Sequence, residues 1–134
     1  PEYAVRLFYP DKNGLLTPVT TVLACTDPDQ LPLLALQALI RATVPVNLSR
    51  VVPAGTQVMD ISVSDGTASV VLSDQFMSCD TSAARAGSAV RSIAATLCDL
   101  SGVTAVRLSV IGESGLTYYD ISEPITPQPA WFSE

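Results

Sequence analysis

The chain contains no histidine. That absence removes Ser-His-Asp and Cys-His catalysis, the HExxH metalloproteases and every imidazole metal site. Charge is scarce as well: Asp, Glu, Lys and Arg make up 15% of the residues, against roughly 25% in an average soluble domain. The balance is acidic, with seven Lys and Arg against thirteen Asp and Glu and a net charge of -6. Such a chain repels phosphate backbones and anionic lipid heads, so neither nucleic acid nor a charged membrane surface is an expected partner. No apolar run reaches the roughly eighteen residues of a membrane-spanning helix, and the opening Pro1-Glu2-Tyr3 has neither the basic segment nor the apolar core of an export signal. A soluble fragment is expected, such as a mature domain stripped of its signal.

Cysteine is sparse and odd in number. Cys25, Cys79 and Cys98 form no CxxC pattern and cannot close into a complete set of internal bridges. If residues 80 to 100 are helical, Cys79 and Cys98 lie roughly 28 Å apart at about 1.5 Å per residue and cannot bond each other. Free buried thiols are the simpler expectation; a bridge from Cys25 stays open, with its partner undetermined.

What is present is a strongly apolar chain of 134 residues, 48% of them hydrophobic. That length fits one domain burying about 67% of the surface its unfolded form exposes. Tyr3 to Tyr9 alternates Val5, Leu7 and Tyr9 with Ala4, Arg6 and Phe8, then meets the turn residues Pro10 to Gly14; Pro18 to Cys25 resumes the alternation, predicting a first hairpin. Asp29 is the expected N-cap of a helix over Leu31 to Thr43, with Pro32 in its first turn. Its polar stripe is narrow, Gln37 and Arg41 among leucines, so most of its circumference must be covered. Asp65-Gly66 between two alternating runs predicts a type I′ hairpin pairing Ser64 with Thr67, Val63 with Ala68, Ile61 with Val70 and Met59 with Leu72. A second helix, capped by Asp80, Thr81 or Ser82, presents Ala86, Val90, Ile93, Leu97 and Leu100. Its row of small residues, Ala84, Gly87, Ala94 and Cys98, is expected to admit the first helix closely. Val103 to Ile111 reads as a strand with a short partner around Leu116 to Ile121, followed by a poorly anchored Pro-rich tail.

Several of these stretches occur together in one known family. Val5-Arg6-Leu7-Phe8-Tyr9-Pro10-Asp11, Asn13-Gly14-Leu15-Leu16, Pro18-Val19-Thr20, Leu48-Ser49, Pro53-Ala54-Gly55-Thr56, Asp65-Gly66-Thr67-Ala68, Ser101-Gly102-Val103 and Asp120-Ile121-Ser122-Glu123-Pro124 follow one another in an order and spacing that resemble the GerM domain of bacterial sporulation and spore-germination proteins. The resemblance spans about residues 4 to 127. It implies a non-catalytic extracytoplasmic domain, exported as a lipoprotein or otherwise membrane-anchored at the cell envelope, including the intermembrane space of sporulation. It further implies a fold like the ring-building modules of secretion and sporulation channels.

The chemistry-bearing residues agree with a non-enzyme. Asp11 opens a segment with the flavour of a calcium loop, but the glycine comes too early and no closing Glu follows, so a turn role is expected. Glu2, Glu113, Glu123 and Glu134 sit in turns or ends, where a catalytic carboxylate pair would be poorly held. Ser49, Ser73 and Cys98 have no base in any motif. No catalytic residue, cofactor or metal is therefore assigned. The expected fold is an α+β two-layer sandwich: an antiparallel or mixed sheet with two helices on one face, in the order hairpin, helix, hairpin, helix, strand. Residues 1–123 are expected to form the domain and 124–134 the extended tail. The expected function is protein–protein assembly with other sporulation or envelope proteins, or with copies of itself, and any membrane contact is expected through an anchor outside this fragment. The alternative is a lipoprotein domain that binds a sensor kinase or a small envelope ligand. Gln37 and Arg41 on the first helix with Arg85 and Arg91 on the second form the expected polar rim, to which Trp131 adds an aromatic anchor unless it folds back on its own domain. Meeting acidic residues of another copy, such a rim would make the head-to-tail contact that closes rings.

Overall fold

In the computed structural model, which describes residues 1–134, the chain runs out as β1 (Glu2–Pro10) and returns antiparallel as β2 (Leu16–Ala24), in register from Glu2 opposite Ala24 to Pro10 opposite Leu16. The connecting loop is held by Asp11, whose carboxylate accepts from the Asn13 and Leu15 amides at 2.8 and 3.0 Å. Asp11 is thus a turn residue with its oxygen already used. Val5, Leu7 and Tyr9 face the core as their alternation requires, and Phe8 on the opposite side is buried as well.

Asp27, and not Asp29, begins the helical region. Its carboxylate accepts from the Asp29 amide at 2.9 Å and starts a 3-10 turn, Pro28–Gln30, that runs directly into α1 (Leu31–Arg41). The two prolines make this entry possible, because Pro28 and Pro32 occupy first-turn positions where no amide hydrogen is needed. α1 stops two residues short of the expected Thr43, since Ala42 swings to an extended ψ of 153°. The Arg50 guanidinium then donates to the carbonyls of Leu39, Ile40 and Ala42 left open at that end.

The second hairpin joins β3 (Val58–Ser64) to β4 (Thr67–Leu72) through Asp65 and Gly66, both at positive φ (52° and 79°), as a type I′ turn demands. Ser64, Val63 and Ile61 pair with Thr67, Ala68 and Val70 as expected, but Leu72 faces Val58 instead of Met59. The reason is a count of residues. Gln57 is tied to Ser73 by two hydrogen bonds, from Ser73 N to Gln57 O (2.9 Å) and from Gln57 N to Ser73 Oγ (2.8 Å). Seven steps separate Gln57 from Ser64 and only six separate Thr67 from Ser73, so β3 must bulge between Val58 and Asp60. Met59 is expelled to solvent, half exposed.

A 3-10 segment, Asp74–Cys79, leads to α2 (Ala83–Cys98), capped by the Ser82 hydroxyl, which accepts from the Arg85 amide at 3.1 Å. α2 carries the chain across so that β5 (Ala105–Val110) lies parallel to β4, completing a mixed sheet of order β3-β4-β5. The architecture is α+β as expected, yet the strands form two sheets and not one platform. α1 and α2 pack on each other, α1 reaching β3 and α2 reaching β5, while β1 lies along α2.

Ala86, Val90, Ile93 and Leu97 of α2 are buried in the core. Two polar residues of the same helix, Ser92 and Thr96, are also fully buried, and they close the edge of β1: Thr96 Oγ1 accepts from Phe8 N (3.1 Å) and Ser92 Oγ donates to Phe8 O (2.6 Å). Of the row of small residues, Gly87 admits the ring of Tyr119, which an added Cβ would meet at 3.4 Å, while α2 packs on the first helix as expected.

Two further expectations change in the last third of the chain. Residues 116–121 form no strand; Asp80 instead accepts from the amides of Thr117 and Tyr118 at 2.7 and 2.9 Å, holding this segment beside the start of α2, and Ile125 makes the bridge to Val106 of β5. The Pro-rich tail is firmly anchored. Trp131 is buried, Phe132 sets its ring edge-on to Phe8 at 5.4 Å, and the Ser133 amide donates to Leu16 O at 3.0 Å. This docking covers one side of the Phe8 ring, beside Arg6.

Replacing Thr96 by Val keeps the shape and leaves the buried Phe8 amide without an acceptor. Urea unfolding should show a loss of about 1–3 kcal/mol, and Thr96→Ser should recover most of it. An unchanged midpoint for Thr96→Val would mean that this tie adds nothing.

Candidate functional site

Three surface grooves mark where side chains leave space. The smallest, about 360 Å³, lies between Arg6, Phe8, Cys98, Asp99 and Phe132. Its charge is internally spent: the Arg6 guanidinium donates to Asp99 at 2.5 and 3.1 Å and lies 5.3 Å from the centre of the Phe8 ring. The Asp99 hydrogen bond and charge hold the Arg6 proton more tightly than usual.

A second groove of about 540 Å³ is basic. Arg50 and Arg85 share it with Val52, Pro53 and Cys79. Because Arg50 binds the carbonyls that end α1, and Arg41 belongs to that last turn, three of the seven basic residues gather at this end of the helix pair. The third groove, about 610 Å³, is at the opposite end, where the start of α1 and the residues following α2 line it together. α1 and α2 are therefore antiparallel. Its walls are largely apolar, with Tyr3, Leu31, Ile61, Val63 and Leu100; Asp29 is the charged residue among them.

The residues singled out from sequence do not form one rim. Arg41 is exposed and Gln37 half-buried on α1, while Arg85 opens into the groove of Arg50. Arg91 lies apart, its guanidinium 5.5 Å from the centre of the Trp131 ring. Trp131 itself is only 8% exposed, so it has folded back on its own domain and offers little surface to a partner. Arg50 and the β3 side of the apolar groove were missed. Arg50 had no periodic element to place it, whereas β3 carried a readable sign: no Lys, Arg or Pro guards the strand Val58–Ser64.

No three His, Cys, Asp or Glu side chains converge on a common point. All three cysteines are free. Burial pushes the thiols of Cys79 and Cys98 up to about 11, Cys79 with help from the neighbouring Asp80 carboxylate. Burial likewise raises Tyr9, against the opposing charge of Arg50, and its hydroxyl donates to Leu39 O at 2.9 Å. Asp120 is held lower than usual by hydrogen bonds from the side chain and then the backbone of Ser122.

A family model described as Germane, sporulation and spore germination, matches residues 6–115. Among solved structures, the tandem GerMN domains of the sporulation protein GerM from Bacillus subtilis superpose with a TM-score of 0.74 at 22% identity, over 94% of this chain and 46% of that one. This chain thus spans slightly less than half of the tandem pair. The first GerMN domain of the same protein gives 0.65 at 24% identity, covering 98% and 97% of the two chains. A candidate lipoprotein from Clostridium perfringens gives 0.66 at 17% identity, covering 94% and 87%. At these identities the likeness is one of fold. No curated protein matches the sequence.

The raised thiols set a pH dependence. The folded state favours protonated Cys79 and Cys98, so this contribution to stability is intact below the ordinary thiol value of 9.0 and is lost as pH rises through about 11. Unfolding free energy should fall over that window, and Cys79→Ala with Cys98→Ala should flatten the fall. Rapid iodoacetamide labelling of both thiols in the native protein at pH 8 would contradict it.

Proposed function

The chain belongs to the sporulation and spore germination family whose domain occurs in GerM, and from that premise we propose that it is a non-catalytic assembly domain, acting outside the cytoplasm at the envelope of a spore-forming bacterium. The observation that carries this reading is the separation of charge along the antiparallel helix pair. Arg41, Arg50 and Arg85 gather at one end, where the neighbouring carboxylate, Asp80, is taken up by the Thr117 and Tyr118 amides, while Asp27 and Asp29 start α1 at the other. Asp65 stands near that acidic end too, since the adjoining Gly66 carbonyl accepts from the Thr104 amide at 2.7 Å, just beyond the groove wall at Val103.

A domain with opposite charges at its two ends presents complementary surfaces to neighbours stacked head to tail, whether copies of itself or related envelope proteins. Contacts of that type close into rings when the rotation between neighbours allows, and complementary charge speeds and orients their encounter more than it adds raw affinity. A non-catalytic role is supported by the scattering of carboxylates over turns and by thiols held in their protonated, unreactive form. The extracytoplasmic setting draws support from the shared fold of the Clostridium perfringens candidate lipoprotein. Membrane attachment is assigned to an anchor outside these residues, none of whose helices is long and apolar enough to cross a membrane.

Sedimentation of the full-length protein with its sporulation envelope proteins tests the proposal. Complexes should form at low ionic strength, weaken with salt, and weaken at least tenfold when Arg41 and Arg85 are both changed to Glu. Complex formation indifferent to both salt and charge reversal would overturn the charged-end reading.

A further inference from the structure

β3 is an edge strand, and its edge is open. In a two-residue hairpin the residues flanking the turn, Ser64 and Thr67, exchange hydrogen bonds, and the antiparallel alternation then turns the N–H and C=O of Val63 and Ile61 away from β4. No hydrogen bond from any other part of the chain reaches either residue. Their side chains point the other way from Asp60 and Ser62, toward the inner face of the sheet, where both line the 610 Å³ groove. Val63 is 43% exposed there.

The first half of β2 is guarded, carrying Pro18 and crossed at its start by the docked tail through Leu16 and Phe132, and its second half, open at Thr20 and Val22, borders none of the three grooves. Natural sheets guard exposed edges in such ways because an unguarded edge recruits another strand. β3 has only the bulge at Met59, beyond the stretch that faces the groove.

Charge identifies what fits. Asp29 lines the groove, Asp60 projects from the outer face of β3, and Asp65 stands at the hairpin tip, while no Lys or Arg lines the groove. The nearest basic residue in this sheet, Arg107, is on β5 in the row Ser62, Ser69, Arg107, about two strand spacings or ~9.6 Å from β3. A strand added to β3 would send alternate side chains into the apolar groove and the others out beside Asp60.

We infer that the open edge of β3 receives an extended segment of a partner protein by strand addition, and that this segment alternates apolar residues with Lys or Arg. The main-chain bonds of Ile61 and Val63 supply the docking, the groove reads the apolar side chains, and Asp60 and Asp65, outside the groove, select basic over acidic ones. The inference gives the assembly reading above a specific attachment point and rests on it for its biological use.

A nine-residue peptide alternating Lys and Val, blocked at both ends, is the probe, with its Glu-for-Lys counterpart as control. Added to the isotope-labelled domain, the Lys peptide should slow hydrogen exchange at the Ile61 and Val63 amides at least tenfold and bind more weakly as salt rises. Val63→Lys, which places a guarding charge on the edge, should weaken binding at least tenfold, and Asp60→Asn should weaken it less. Unchanged exchange at these two amides, or equal binding of the Glu peptide, would overturn the inference. Such a failure alongside intact envelope complexes would sink the docking edge alone; peptide docking without any envelope complex would instead sink the assembly reading.

Discussion

The fold depends on how α2 satisfies the edge of β1. A strand edge presented to a helix leaves amide and carbonyl groups with no backbone partner, and burying them bare costs about 1–3 kcal/mol each. Ser92 and Thr96, one turn apart and wholly buried, supply one donor and one acceptor to Phe8. With that demand met, the rest of the helix surface is free for Val90, Ile93 and Leu97 to fill the core. No buried side-chain polar atom is left without a partner.

Placing α2 in this way has consequences on every side. The helix is the crossover that lets β4 and β5 run parallel, and its small residues leave room for Tyr119 at Gly87. Asp80, just ahead of it, pins the amides of Thr117 and Tyr118 and so diverts that segment from pairing with β5. The tail is then free to reach Val106 with Ile125 and to cover Phe8 with Phe132. What looked like a loose end becomes the outer wall of the first sheet.

The same arrangement sets the surface. Antiparallel helices bring Arg41, Arg50 and Arg85 together at one end and leave the start of α1, with its aspartates, at the other. The helix pair covers the middle of the strands but not the tip of the second hairpin, where Ile61 and Val63 stay accessible. This chain of the sporulation and germination family thus leaves part of the β3 edge uncovered beside a groove.

Much of this was legible without coordinates: the two hairpins, the Asp65-Gly66 turn and the apolar stripe of α2 follow from alternation, turn chemistry and helical spacing, and the family from the resemblance of its ordered stretches. Those signals act between residues a few positions apart, and a linear reading captures them. The bulge at Met59 needed both ends of a hairpin to be pinned, and the cap at Asp27 needed a turn that feeds a helix. The burial of Trp131, the split into two sheets and the open edge of β3 rest on contacts such as Ser92 to Phe8 and Ser133 to Leu16, which join residues 84 and 117 positions apart. Local chemistry determined which segments became strands and helices. Only the folded chain decided which of their edges and faces were covered, because covering an edge requires a distant segment whose arrival no local pattern records.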